Sequence, residues 1–267
     1  MLLASVPAAA IVMRHDTGYA QYLATEGDYP AVFPLERHDR RKVCVATLIA
    51  ARWAVTAAHC VEETALYEAW REKRPYAVMI GANTYFVHRV HFHPRWPGAA
   101  GTEWQRGQVD LALLELESAV SGVTPVELYP ADDELHQVVT FLGWGYSGIG
   151  STGIRNNDGR LRFAKNTVSR ADGQLRFTFD DPSSPDSAAV ELEGIPGLGD
   201  SGGPALVEQN GQQWLLGVAV GEMDQGQRQG LYGATVLYER MSLHRHWVEK
   251  VLDSFATLDE SVHALER

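Results

Sequence analysis

A chain of 267 residues with 45% hydrophobic and 21% charged content can build one large core or two small ones, and it lies outside the compositional range of disordered proteins. The formal net charge of −11, with no Lys/Arg-rich run, opposes binding to a phosphate backbone. No stretch approaches the roughly eighteen consecutive apolar residues of a membrane span, so neither a nucleic acid nor a membrane is expected as a partner.

Met1–Ala10, M-L-L-A-S-V-P-A-A-A, ends in the A-x-A pattern that signal peptidases cut. It reads as the tail of a truncated secretion signal or a trimmed propeptide rather than as a strand. Val43–Ala58 is rich in β-branched and small residues and predicts strands joined by a turn. Glu62–Arg74 carries Leu66, Ala69 and Trp70 at helical spacing among charges and predicts a surface helical insertion. Tyr76–His93 alternates as a strand, and Val109–Leu116 is a short apolar run suited to a buried strand, with Asp110 at its start. Pro125–Pro130 marks the crossing between halves.

From Val138 to Tyr238 short strands alternate with loops. Ser147–Gly159, rich in Gly and Asn, is expected to be a mobile loop, and Asp180–Ser187 is turn-rich. From Met241, the residues Leu243, Trp247, Val248, Val251, Leu252 and Phe255 recur at threes and fours, the pattern of an amphipathic C-terminal helix.

The chemistry centres on Gly199-Asp200-Ser201-Gly202-Gly203-Pro204. A serine hydroxyl is a poor nucleophile at neutral pH and needs an imidazole to take its proton as it attacks a carbonyl. Thr56-Ala57-Ala58-His59-Cys60 offers His59 as that base. The imidazole needs a buried carboxylate to fix its tautomer, and Asp110-Leu111-Ala112-Leu113-Leu114 offers Asp110. The amides of Gly199 and Ser201 are the candidate oxyanion hole.

Other signals are weaker. Gly143 to Gly148 fits G-x-G-x-x-G, but the glycines run into Asn156-Asn157-Asp158-Gly159 instead of a helix, so no dinucleotide site is expected. His88, His91 and His93 have no neighbouring acid or cysteine to complete a zinc site, and no metal is expected. Cys44 and Cys60 are the only cysteines; one pair at this spacing lacks the C-x-x-C character of a metal site, which leaves a bridge or two buried thiols.

Three motifs in the order His, Asp, Ser, with Gly143-Trp144-Gly145 between the last two, resemble those of the trypsin-like (chymotrypsin-family) serine endopeptidases, from about Ile11 to about Val251. The resemblance implies an all-β fold of two packed six-stranded antiparallel β-barrels with a C-terminal α-helix. It divides one peptidase domain into a leader or propeptide remnant (1–10), an N-terminal barrel with His59 and Asp110 (11–125), a C-terminal barrel with Ser201 (126–240) and a helix (241–258). It implies peptide-bond hydrolysis through an acyl-enzyme on Ser201, a protein or peptide substrate and no cofactor.

The resemblance also implies a Cys44–Cys60 disulfide beside His59, hence an oxidising, secreted or periplasmic location. It pairs the amine of Ile11, freed by a processing protease or signal peptidase, with Asp200.

Departures from the family pattern bear on specificity. Ile195 stands six positions before the serine, where enzymes that cut after Lys or Arg carry an aspartate. An aliphatic pocket base leaves a buried cation unpaired, which costs several kcal/mol, so uncharged side chains are expected, with Val220, Gly221 and Glu222 as the pocket wall. Val220 replaces a serine that commonly supports the catalytic aspartate, Glu222 replaces a glycine at the pocket mouth, and Met13-Arg14 replace two glycines after the new amino terminus. These departures motivate the rival reading, a catalytically weak or inactive homologue acting as a binding or regulatory module. An esterase-like hydrolase would use the same site on another substrate.

Overall fold

The computed structural model describes residues 11–98, 107–223 and 226–254. The expected leader, 1–10, lies outside the described residues, as does the end of the expected C-terminal helix. Short β1 (Ile11–Met13) leads into the first half, where β2 (Val32–Glu36), β3 (Lys42–Ala50), β4 (Trp53–Thr56), β5 (Tyr76–Ile80), β6 (Asn83–Phe92) and β7 (Ala112–Leu116) form one antiparallel sheet in the order β2-β3-β4-β7-β6-β5. Period-two patterning sets the faces: in β5, Tyr76, Val78 and Ile80 are buried while Ala77 and Met79 are exposed. β7 is buried along its whole length because it lies between β4 and β6, and this explains its unbroken apolar sequence apart from Glu115.

The second half contains β8 (Glu127–Leu128), β9 (Val138–Gly143), β10 (Ser147–Ile149), β11 (Gly153–Asn156), β12 (Arg162–Thr167), β13 (Arg170–Ala171), β14 (Gln174–Thr178), β15 (Gly194–Ile195), β16 (Pro204–Gln209), β17 (Gln212–Glu222) and β18 (Thr235–Arg240). Eight of these make a nearly closed sheet, β12-β9-β16-β17-β18-β14-β13 with β8 laid parallel on β17. Its core holds Phe141, Phe177 and Tyr238 in mutual ring contact at 4.8–5.2 Å. The remaining strands join β1 in a small sheet, β11-β10-β1-β15. A helix over residues 245–254 returns to the first half, where Val248 packs into the same apolar cluster as Leu48 and Leu113. The fold is thus two barrel-like β halves with few helices, as the resemblance implies.

Local structure differs from the sequence expectations in four places. The insertion after His59 is two short helices, α1 (Ala58–Glu63) and α2 (Leu66–Arg71), because Thr64 is extended and its hydroxyl donates back to the Cys60 carbonyl at 2.8 Å, a bond that competes with helix continuation. The segment 147–159, expected as a mobile loop, contains the β10–β11 hairpin. The strand expected from Val109 begins at Ala112, since the Asp110 amide bonds a side chain of the other half instead of the ladder. The second barrel carries eight strands rather than six, because the two-residue strands β8 and β13 extend its edges.

Cys44 and Cys60 form a disulfide across 16 residues of sequence, tying α1 to β3. Closing a loop of that size stabilises the fold by about 3 kcal/mol in the chain-entropy model. The double variant Cys44→Ala/Cys60→Ala is therefore expected to lose about this much stability in denaturant titration, and a midpoint equal to that of the unaltered chain would refute the expectation.

Candidate active site

His59 lies in the first turn of α1, directly after β4. The turn is fixed on both sides: the Thr56 hydroxyl donates to the Val45 carbonyl at 2.7 Å, and Cys60 is bonded to Cys44. Asp110 is fully buried and receives two hydrogen bonds from His59, one from its main-chain N–H to Oδ1 at 2.9 Å and one from Nδ1 to Oδ2 at 2.5 Å. The carboxylate therefore selects the tautomer with the proton on Nδ1 and leaves Nε2 as the basic nitrogen. Burial pushes the imidazole pKa down, but the hydrogen bond and charge of Asp110, with the charges of Glu63 and Glu62, outweigh it and hold His59 above its ordinary value.

Ser201 sits in the turn between β15 and β16. The turn is closed by Asp200 N–H to Gly197 O at 3.1 Å, Gly203 N–H to Asp200 O at 3.0 Å and Gly202 N–H to Ala219 O at 2.8 Å, and the Ser201 carbonyl accepts the Val45 amide at 2.8 Å. Two glycines make this geometry accessible, Gly199 at φ +91° and Gly202 at φ +76°. A side chain at Gly202 would also collide with the Thr56 hydroxyl and the Val45 carbonyl. Among the described residues no acceptor is bonded to the amides of Gly199 and Ser201, although those of Gly197, Asp200, Gly202 and Gly203 are committed. Two free N–H groups beside a serine are what a developing oxyanion requires.

Asp200 is fully buried and gathers three amides, Gly145 at 2.7 Å, Gly197 at 2.8 Å and Ile11 at 3.4 Å. Burial raises its pKa to about 6 against the lowering effect of these bonds. Ile11, Val12 and Met13 are buried too, with Val12 paired to Ile195 and Met13 to Gly194. Arg14 leaves the core, donating to the Val190 carbonyl at 2.8 Å and to Asp16 at 2.7 Å.

His59, Gly199, Ser201, Val220, Gly221 and Glu222 line one cavity of about 210 Å³. Among the described residues no hydrogen bond joins Ser201 to His59; Nε2 lies 3.8 Å from the Cys60 sulfur. Such contacts are often loose before substrate is bound. The lining differs from the sequence expectation at Ile195. That side chain is buried in the second-half core against Val12 and does not line the cavity, whereas its neighbour Pro196 does. Strand alternation sends adjacent side chains to opposite faces.

Sequence reasoning missed Val236, which lines the cavity and is registered opposite Glu222 across β17–β18. Only the strand register reveals it. Val220 stands at the bulge between the Ala219 and Gly221 pairings. The Glu222 carboxylate is occupied, accepting the Gly230 amide at 3.0 and 3.3 Å, and burial raises its pKa. His88, His91 and His93 do not converge: the His91 ring lies tilted against Trp53, and the His93 ring meets Trp247 and His244. The cluster Cys44, His59 and Cys60 has ligand-like spacing, but its sulfurs are bonded to each other and do not supply thiolates.

Two β-sheet halves that share a cavity lined by a histidine from one and a serine from the other define the two-barrel class. Within it, the Trypsin family model matches residues 20–247, and the chain belongs to that family. It is 30% identical over 222 residues to an uncharacterized peptidase of Corynebacterium glutamicum (strain R), an alignment covering 79% of this chain and 64% of that protein. It is 27% identical over 210 residues to the atrial natriuretic peptide-converting enzyme of Mus musculus, covering 71% of this chain and 17% of that protein. With serine protease 41 of Homo sapiens the identity is 25% over 236 residues, covering 80% and 70%. The chain thus spans less than two thirds of the length of the bacterial peptidase.

Proposed function

We propose that the chain is a serine endopeptidase in which Ser201 attacks the scissile carbonyl, His59 takes and returns the proton, and Asp110 orients the imidazole and stabilises its cation. The oxyanion of the tetrahedral intermediate is held by the amides of Gly199 and Ser201, the leaving amine departs with the proton from His59, and water then hydrolyses the acyl-enzyme. The observation that carries this reading is the pair of uncommitted amides beside a serine, in a cavity shared with a histidine whose tautomer is fixed by a buried carboxylate. The disulfide supports a secreted or periplasmic location. No helix among the described residues is long and apolar enough to cross a membrane.

A fluorophosphonate probe is expected to label the protein once, at Ser201, and Ser201→Ala is expected to abolish labelling and to lower peptide hydrolysis by several orders of magnitude. Folded, correctly processed protein that takes no label would instead support the inactive-homologue reading, which draws on Val220 at a position where a donor to the aspartate is usual.

The cavity favours an uncharged side chain on the acyl side of the cut. Its lining includes Pro196, Val220 and Val236; of its two carboxylates, Glu63 is exposed on α1 and Glu222 is already held by the Gly230 amide, so a buried Lys or Arg would find no carboxylate dedicated to it. In a peptide-library profile, cleavage after uncharged residues is expected to dominate, and Val236→Gly is expected to shift preference toward larger side chains. A profile led by Lys and Arg would contradict this reading.

Cleavage before Ile11 is the proposed activating step. In the uncut chain Ile11 offers Asp200 only a neutral amide, and the carboxylate's pKa stands raised to about 6. Its stabilising contribution is therefore present below the unfolded value near 4 and lost as pH rises through 6. A new ammonium at Ile11 reverses this by favouring the ionised carboxylate. Its own pKa then rises above the unfolded value of about 8, so the stability of the pair is present below that value and lost as pH rises through the folded one. The chain beginning at Ile11 is expected to turn over substrate far faster than the uncut chain at neutral pH and to lose activity reversibly in alkali. Equal rates for the two chains would show that Asp200 is organised without the charge.

A further inference from the structure

The main chain of Asp110 is held from the opposite barrel. Asp110 is fully buried in the segment before β7 and outside any strand, so its N–H has no ladder partner. It donates to Oε1 of Glu239 at 3.1 Å, across 129 residues of sequence. Glu239 lies on β18, in the sheet whose β16 follows Ser201.

Glu239 is itself buried, and its Oε1 is held by two donors. Oε1 also accepts Gln174 Nε2 at 3.2 Å, and Oε2 lies 3.4 Å from Nε2 of the buried His244. His244 is wedged in turn, its ring edge-on to His93 at 5.0 Å. A buried acid whose Oε1 takes both the Asp110 amide and the Gln174 side chain has more constraint than packing requires.

We propose that Glu239 is a positioning residue for catalysis: by accepting the Asp110 amide it locks the acid of the first barrel to the barrel that carries Ser201. The proposal rests on the peptidase reading for its effect on rate, but not for the contact itself. The position it controls matters because the Asp110 carboxylate has to meet both the amide and Nδ1 of His59, and a displacement of about 1 Å in such a constellation can cost about a hundredfold in rate.

The test compares Glu239→Gln, which keeps an acceptor oxygen, with Glu239→Leu, which does not, in the full chain. Two readouts are taken: kcat and KM on a peptide substrate, and hydrogen exchange of the Asp110 amide by NMR. The Leu variant is expected to lose about ten- to a hundredfold in kcat with KM within about twofold and to exchange the Asp110 amide much faster. The Gln variant is expected to stay near the unaltered chain in both. Unchanged kcat and protection in a folded Leu variant, or equal losses in both variants, overturn the proposal. If the Leu variant does not fold, the Gln variant decides by exchange alone, protection of Asp110 supporting the proposal and exposure refuting it. An unaltered chain that neither cleaves peptide nor takes a fluorophosphonate refutes the peptidase reading, and the exchange comparison then still decides whether Glu239 holds Asp110.

Discussion

The conformation of the Ser201 turn depends on one buried carboxylate. Asp200 lies inside the protein with three main-chain amides around it, from Gly145, Gly197 and Ile11. An ionised group with no water must be met by donors, and here the donors come from three separate segments, so the need to solvate one charge draws all three together. The residue after Asp200 then has little freedom, and Ser201 is presented to the cavity with its own amide and that of Gly199 left over. Local structure, burial cost and chemistry are linked at this point: the amides Asp200 takes and the amides it does not take both belong to the candidate site.

A second constraint is that the candidate triad spans both halves. His59 and Asp110 belong to the first sheet's surroundings and Ser201 to the second's, so any sliding of one half on the other would misalign them. The contacts that oppose sliding are specific ones. The Val45 amide donates to the Ser201 carbonyl, Glu239 accepts the Asp110 amide, and the helix over 245–254 places Val248 in the first-half core. Of these, the Val45 and Glu239 contacts act on the main chain of a candidate triad residue.

Short motifs made the candidate site residues legible because each depends on its immediate neighbours: the glycines around Ser201, the cysteine after His59 and the apolar run after Asp110. What was not legible depends on register across strands. Counting six residues back from Ser201 reaches Ile195, but β15 pairs with β1 and turns that side chain to the core, leaving Pro196 on the cavity. Val236 and Glu239 have no local signature, since their roles arise from the pairing of β18 with β17 and from the approach of the Asp110 segment. The glycines of 147–159 read as flexibility, although Gly148 and Gly153 belong to a hairpin in which close main-chain approach excludes side chains.

The same small sheet accounts for the departure at Met13-Arg14. Two glycines at this point would supply a hinge. Here the segment is instead held as a strand on both edges, Ile11 to Met13 running parallel to Ser147–Ile149 on one side and Val12 and Met13 antiparallel to Ile195 and Gly194 on the other. Met13 adds a buried apolar side chain, and Arg14 places its charge against Asp16 and the Val190 carbonyl just outside. Glycine would lose more conformational entropy on being fixed than either residue does. The docked segment is thus held by ladder bonds and burial in addition to whatever Ile11 contributes at Asp200, and the order of this strand is coupled to β15, two residues from Gly197 and therefore to the Asp200 turn itself.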